Sequence, residues 1–168
     1  MNKTLILFLI FAYSIALSAQ NSTIQKASID FVFVDKDVKG SISGFKSTSK
    51  IDWNNLDNSF FEGSVAVETL DTNSGLRNWS LKSGKYFDKS DYPRIYFKSS
   101  KITQKDQQYL VEGTLTIKDI KKPITITLKQ DGNQLIGTTS LYSYDYDIKI
   151  KKKREENLVK VTFRFELK

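Results

Sequence analysis

Hydrophobic and polar residues alternate along most of the chain beyond residue 20, in the pattern typical of half-buried β-strands. Ile29, Phe31 and Phe33 fall on one face of the first such run. The last run is the clearest, because the odd-numbered residues from 159 to 167 are all apolar and the even-numbered residues from 160 to 168 are all polar. The pattern predicts about eight strands of ordinary length, and therefore an all-β protein.

Short polar segments, some with glycine or proline, separate the runs between residues 94 and 139. They lie at residues 104–107, 119–123 and 131–133 and predict a meander of antiparallel hairpins. Residues 73–90 break the alternation and have near-helical spacing of apolar residues, so we expect one short helical segment there. Alternation, close hairpins and one helical crossover favour a closed antiparallel barrel, because closure removes exposed strand edges.

The alternating faces identify residues expected to point into the barrel or to lie at its mouth. A barrel of about eight strands can hold one small ligand, although the same apolar residues can simply fill the interior. The expected wall and mouth residues are Phe31, Phe33, Val65, Val67, Trp79, Leu81, Phe87, Phe97, Leu115, Ile117, Ile126, Val161, Phe163 and Phe165.

Residues 1–19 have the features of a secretory signal peptide. Lys3 supplies the positive charge, residues 5–15 are almost wholly apolar, and small residues precede a cleavage site after Ala19; this order is typical of such signals. The apolar stretch falls well short of the roughly 20 residues that span a bilayer. We therefore expect residues 20–168 to form one exported, periplasmic or otherwise extracytoplasmic domain.

The composition argues against most enzyme classes. The 168 residues include no Cys and no His, which excludes disulfides, thiol nucleophiles, Cys and His metal sites and the usual general base. Two carboxylate pairs, Asp35/Asp37 and Asp145/Asp147, would each share a strand face, but acids on a solvated face are usually ordinary surface charge. We expect no catalytic residue and no metal, which leaves an acid-only enzyme such as a glycosidase as the enzymatic alternative.

The order of residues 69–99 resembles the signature of the YceI-like family. A Thr is followed by an Arg-Asn pair, then by Leu-x-Ser, Tyr-Phe-Asp and Tyr-Pro-x-Ile-x-Phe-x-Ser. Further family-like segments follow the same order as in the family, so the resemblance covers nearly all of the chain beyond residue 20. These segments are residues 38–45, 111–128, 141–148 and 159–167.

The resemblance implies an extended, eight-stranded, lipocalin-like antiparallel barrel around a long apolar channel. Members of the family are exported bacterial proteins, typically periplasmic, and those with a bound ligand hold a polyisoprenoid such as an isoprenoid quinone. Each buried methylene contributes about 0.8 kcal/mol, so a prenyl tail can bind without any hydrogen bond. The implied function is non-catalytic storage or transport of an apolar lipid, with no cofactor other than that lipid.

The resemblance also identifies Arg77 and Asn78 as candidate contacts for the polar head of a lipid. The family often has Asp at the second position, and Asn78 lacks the charge that could pair with Arg77. Arg77 has two open roles, since it can face a head group or orient the helical segment. The family frequently has an Arg near its next-to-last strand, where this chain has Tyr144. Tyr144 is one of three tyrosines that we expect to share a strand face: Tyr142, Tyr144 and Tyr146.

The net charge of +7 bears on the partners. Residues 151–154 are four cations followed by two acids, which indicates a solvated turn, and export argues against a nucleic-acid partner. A basic surface can contact anionic lipid head groups transiently. The alternative to a lipid carrier is therefore a ligand-free barrel that acts through its basic outer surface on the membrane or on another envelope protein. The sequence leaves open whether the protein is a monomer or a homodimer.

Overall fold

The computed structural model describes residues 21–168, so the expected signal peptide lies outside the described residues. Residues 75–82 form the helix α1 (Gly75–Lys82), and five short 3-10 helices span Val34–Lys36, Leu56–Asn58, Val67–Thr69, Ser143–Tyr146 and Arg154–Asn157. The strands are β1 (Asn21–Ser22), β2 (Ile24–Phe33), β3 (Val38–Ile42), β4 (Lys46–Ser47), β5 (Ile51–Asp52), β6 (Glu62–Ala66), β7 (Arg94–Lys105), β8 (Gln108–Ile117), β9 (Ile120–Asp131), β10 (Gln134–Tyr142) and β11 (Leu158–Leu167).

Nine of these strands form one curled antiparallel sheet in the order β3-β2-β11-β10-β9-β8-β7-β6-β4, while β1 pairs with β5. The two edge strands, β3 and β4, follow each other in the chain, and hydrogen bonds bring the edges together. The Ala66 amide donates to the Ser43 carbonyl at 2.9 Å, and Ser41 pairs with Asp71. The resulting fold is the predicted lipocalin-like barrel.

The eight strands expected from the sequence correspond to those of five or more residues. Three further strands within residues 21–168, β1, β4 and β5, have two residues each, too few for alternation to reveal. The meander is confirmed as β7 to β10, and α1 lies inside the segment expected to be helical. The turn expected over residues 119–123 is shorter than predicted, because Pro123 lies within β9 opposite Thr114. No helix among residues 21–168 is long and apolar enough to cross a membrane.

The barrel has two different ends. At the first, which we call the packed end, Ile51, Val111 and Leu135 are at most 1% exposed within a large apolar cluster. The ring of Trp53 packs against that of Tyr109, with 5.2 Å between centroids, near the β1–β5 pair. At the opposite end, which we call the helix end, Leu81 of α1 packs against a cluster that includes Leu70, and Phe87 after the helix packs against a cluster around Ile117 and Ile148. Burial at the packed end therefore closes one end of the barrel.

Candidate functional site: an apolar channel

A cavity of about 400 Å³ lies inside the barrel, and we call it the channel. Its wall includes Val159, Val161, Phe163 and Phe165, which alternate along β11 from the helix end towards the packed end. Six steps of about 3.3 Å each make this row about 20 Å long. The channel is therefore narrow and elongated, and it follows the barrel for most of its length.

The channel wall is overwhelmingly apolar. Most of the residues that alternation predicted to point inward do so, because strand side chains alternate strictly between the two faces of a sheet. Whether they contact a ligand stays a prediction. The predicted residues that line the channel are Phe31, Phe33, Val65, Leu81, Phe87, Phe97, Leu115, Ile117, Ile126, Val161, Phe163 and Phe165.

Two predicted wall residues, Val67 and Trp79, do not line the channel. Strand β6 ends before Val67, whose amide donates to the Pro93 carbonyl at 2.9 Å, and whose side chain is 1% exposed in a 3-10 turn. Trp79 is 73% exposed. Helix α1 turns Arg77 and Leu81 towards the channel, which leaves Trp79 on the outer face of the helix.

The candidate head-group contacts, Arg77 and Asn78, have different positions. Arg77 lines the channel, and its Nη1 donates to the Thr72 carbonyl at 3.4 Å. Asn78 does not reach the channel, because its Oδ1 accepts from the amide and hydroxyl of Thr72 and its Nδ2 donates to Asp71 at 2.7 Å. The hydrogen bond from Asn78 is also the largest cause that lowers the pKa of the Asp71 carboxyl. Arg77 thus remains the candidate contact, and Asn78 holds the loop before α1.

Sequence analysis missed two aromatic residues of the wall, Phe45 and Phe61. Both precede short strands, so no alternation marks them. The ring of Phe45 lies 5.9 Å from that of Phe165 where the sheet edges meet. Five further apolar wall residues carry an alternation signal that could have identified them, since each is two positions from a predicted one: Ile29, Ile95, Ile124, Leu128 and Val159.

The prediction that Tyr142, Tyr144 and Tyr146 share a strand face is wrong. Strand β10 ends at Tyr142, and the following 3-10 helix bends the chain, held by the Ser143 hydroxyl, which donates to the Ile148 carbonyl at 2.8 Å. Tyr146 is 1% exposed, and its hydroxyl has no hydrogen-bond partner among residues 21–168. Burial, followed by the nearby Asp145 charge, raises the pKa of Tyr146 to about 12.

The carboxylate pairs do not lie on strands either. Asp35 lies in a 3-10 helix and binds Lys151 at 2.8 Å. Asp145 lies in the Ser143–Tyr146 3-10 helix and accepts two hydrogen bonds from Arg154, which lower the pKa of its carboxyl. Within residues 21–168 no group of three or more His, Cys, Asp or Glu side chains is placed to hold a metal ion. Asp35, Asp145 and Asp147 thus form ion pairs with Lys151, Arg154 and Lys149.

Comparison with known proteins identifies one family. The family model described as "YceI-like domain" matches residues 16–167. A UPF0312 protein of Vibrio parahaemolyticus is 32% identical over 124 residues, which cover 67% of this chain and 66% of that one. A UPF0312 protein of Photorhabdus laumondii is 27% identical over 93 residues, which cover 55% of this chain and 48% of that one. The chain thus spans between about half and just under two thirds of the length of these relatives.

Solved structures share the same architecture. BcnA of Burkholderia cenocepacia matches with a TM-score of 0.76 and 19% identity, over 87% of this chain and 99% of that one. A polyisoprenoid binding domain from Saccharophagus degradans, implicated in plant cell wall breakdown, matches with a TM-score of 0.61 and 11% identity, over 88% of this chain and 97% of that one. At these identities the likeness shows the fold, which agrees with the barrel described above.

Proposed function

The chain belongs to the YceI-like family, and from this premise we propose that it is an exported, non-catalytic protein that stores or carries a long apolar lipid in its channel. The proposed ligand class is a polyisoprenoid or an isoprenoid quinone. The observation that carries the proposal is the channel itself, a narrow apolar cavity of about 400 Å³ that follows the barrel. The polyisoprenoid binding domain from Saccharophagus degradans, which has the same fold, supports this ligand class.

The physical basis of binding is the transfer of a hydrocarbon chain from water to an apolar wall. Each buried methylene contributes about 0.8 kcal/mol, offset in part by the entropy lost when a flexible tail is ordered. The volume of the channel falls in the range of about 300–1,000 Å³ found for small-molecule sites. Selectivity then depends on the length and width of the ligand more than on polar contacts.

The proposed location is outside the cytoplasm, in the periplasm of a bacterial cell. The signal-like features of residues 1–19 support export. The absence of Cys from the whole chain suits an oxidising compartment, because no unwanted disulfide can form there.

The outer face of α1 is the part of the surface that we propose contacts anionic membranes. Leu76 and Trp79 are 79% and 73% exposed, and Lys82 and Lys85 follow them in the chain. Tryptophan favours the membrane–water interface, and a lysine near an anionic surface contributes about 1 kcal/mol. The same exposed face supports the second candidate function, a ligand-free barrel that acts through its outer surface. The channel walls described come from a single chain, and both a monomer and a homodimer are compatible with them.

Native mass spectrometry combined with organic extraction tests the proposed function. The full chain is expressed in bacteria with residues 1–19 in place and purified from the exported fraction. We expect a mass adduct that extracts as a prenyl-chain lipid. A clean ligand-free mass from folded protein that also fails to take up an added isoprenoid quinone would contradict the carrier function and favour the surface-interaction function.

A further inference from the structure

The ladder between β9 and β10 is interrupted halfway along the barrel. These strands pair only between residues 134–138 and 127–131, although β9 begins at Ile120 and β10 continues to Tyr142. On their other sides both strands are continuously paired, β9 with β8 and β10 with β11. Beyond Thr138 the facing edges of β9 and β10 therefore lack ladder hydrogen bonds. We call this stretch the seam.

Thr139 lies at the start of the seam. It pairs with Val161 of β11, so it occupies an inward-facing position of the barrel wall, and it does line the channel. Its hydroxyl donates to the carbonyl oxygen of Thr125 in β9 at 2.8 Å. A backbone carbonyl without a ladder partner needs another donor, and Thr139 supplies it. This hydrogen bond accounts for the polar residue at this inward-facing position of the wall.

A groove of about 960 Å³ lies outside the seam. Ile124, Thr139 and Val161 line both the groove and the channel, so the wall between them is one layer of side chains thick. The remaining lining of the groove is mostly polar and is dominated by hydroxyl groups. The polar lining side chains include Glu112, Thr125, Thr138, Ser140, Lys160 and Thr162.

We infer that the seam is the doorway of the channel and that the groove outside it holds the polar head of the bound lipid. The inference rests on the proposed function and adds to it a route and a head-group site. Opening the seam breaks the hydrogen bond from Thr139 to Thr125 and moves a few side chains, whereas opening any continuous ladder breaks a row of backbone hydrogen bonds.

The chemistry of the groove indicates the kind of head group. The tail of an amphiphile gains by lying in the apolar channel, while its head keeps hydrogen bonds only by staying outside. One cation, Lys160, and one carboxylate, Glu112, balance each other among the hydroxyl donors of the groove. This balance suits an uncharged head that accepts hydrogen bonds, such as a quinone ring, rather than a phosphate.

The first test crosslinks the seam. The chain contains no Cys, so Thr125→Cys with Ser140→Cys introduces the two thiols of a single crosslink, made by oxidation to a disulfide or with a short bifunctional thiol-reactive reagent. The matched control is Ser28→Cys with Arg164→Cys, across the continuous β2–β11 ladder. Each protein is loaded with a menaquinone of four isoprene units, and its release into vesicles is followed.

We expect the seam crosslink to slow release at least tenfold relative to the same variant with free thiols, and the control crosslink to leave release unchanged. Equal rates of menaquinone release with and without the seam crosslink would overturn the inference that the seam is the doorway. If the quinone binds to none of the proteins, before or after crosslinking, the proposed function itself is wrong. That result is distinct, because it appears at the loading step.

The second test concerns the head group. Thr138→Val with Thr162→Val removes two groove hydroxyls at nearly constant shape, and neither hydroxyl makes a hydrogen bond among residues 21–168 in the structure. Because the methyl groups that replace the hydroxyls cannot donate hydrogen bonds to the head group, we expect affinity for the menaquinone to fall several-fold. Affinity for squalene, a prenyl hydrocarbon without a head, should not change. An unchanged quinone affinity, or parallel losses for both ligands, would overturn the head-group site.

Discussion

Asn78 accepts two hydrogen bonds from a single residue, Thr72. Its Oδ1 lies 2.8 Å from the amide nitrogen and 2.7 Å from the hydroxyl oxygen of that residue. Thr72 is 4% exposed, so both donors are withdrawn from water. Asn78 also donates to Asp71, which pairs with Ser41 at the edge of β3. Asn78 therefore joins α1 to the closure of the barrel.

Asn78→Ala should destabilise the protein by about 1–3 kcal/mol, because it leaves buried donors of Thr72 without an acceptor. Chemical denaturation of the variant measures this. Leu76→Ala on the exposed face of the same helix is the control, expected to cost less than about 0.5 kcal/mol. Equal free energies of unfolding for the two variants would show that the Asn78 contacts contribute nothing.

The same variant has a pH dependence with a defined sign. The hydrogen bond from Asn78 lowers the pKa of Asp71 in the folded protein. Because the pKa of Asp71 is lower in the folded protein than in the unfolded chain, its carboxylate stabilises the fold at pH values above 3.8. This stabilisation is lost as the pH falls through the pKa of Asp71 in the folded protein. The stability difference between the parent and Asn78→Ala should therefore narrow in acid. A difference that stays constant or widens as the pH falls would contradict the assigned cause.

Tyr146→Phe should leave the protein as stable as the parent or make it more stable. The hydroxyl is buried without a hydrogen-bond partner among the described residues, and such a group costs about 1–3 kcal/mol. Thermal and chemical unfolding measure the change, and Tyr146→Ala, expected to cost about 3–5 kcal/mol, shows that the ring is needed. A clear loss of stability on removal of the hydroxyl alone would mean that it has a partner.

Tyr146 also predicts a weakening of the fold in alkali. Its pKa is raised to about 12 in the folded protein, while the unfolded chain keeps the ordinary value near 10. Below pH 10 the hydroxyl is neutral in both states, whereas between pH 10 and 12 it ionises first in the unfolded chain, so the free energy of unfolding falls over that interval. Relative to Tyr146→Phe, the parent should lose stability over that interval. Parallel unfolding curves for the two proteins from pH 9 to 12 would contradict this.

Filling the channel should prevent lipid binding without unfolding the barrel. Leu115→Trp places a larger side chain at a wall position, whereas Thr116→Trp adds the same bulk to the other face of β8. We expect at least a tenfold loss of prenyl-quinone affinity for the first variant only, measured by equilibrium titration. Val67 is not a suitable site for this test, because it is buried outside the channel and overpacking there destabilises the fold. Equal affinities of the Leu115 and Thr116 variants would place the ligand elsewhere.

Removing the apolar side chains of the outer α1 face should weaken membrane contact. Leu76→Ser with Trp79→Ser removes two large apolar groups, each worth about 1.5–3 kcal/mol when fully buried, so binding to anionic vesicles should fall at least tenfold in sedimentation. Phe60→Ser, at a residue 40% exposed near β5, is the control and should bind as the parent does. Vesicle binding that responds equally to both changes would exclude α1 as the contact.

The strands and the inward faces were predictable because alternation reports directly which side of a sheet each residue occupies. Phe163 and Phe165 line the channel, as their run in β11 predicts. Val67 continues the alternation of Val65, but β6 ends before it, and the Thr69 hydroxyl stabilises the turn by donating to the Ala66 carbonyl at 2.7 Å. The turn also depends on a distant part of the chain, because the Val67 amide donates to the Pro93 carbonyl, and no local pattern reports such a contact.

Other features depend on three-dimensional packing that the spacing of residues does not contain. Near-helical spacing correctly predicts α1, but it does not tell which side of so short a helix faces the channel, so the prediction that Trp79 lines the channel is wrong. The interruption of the β9–β10 ladder follows from how the strands diverge around Thr139. In the sequence, the residues around Thr139 show only the alternation of an ordinary strand.

The most direct measurement is a crystal structure of the protein saturated with a menaquinone of four isoprene units. We expect continuous tubular electron density inside the barrel, alongside the row from Val159 to Phe165 on β11. An empty channel in crystals of protein that binds the quinone in solution, or density confined to the outer surface, would contradict the conclusion that this barrel holds a lipid.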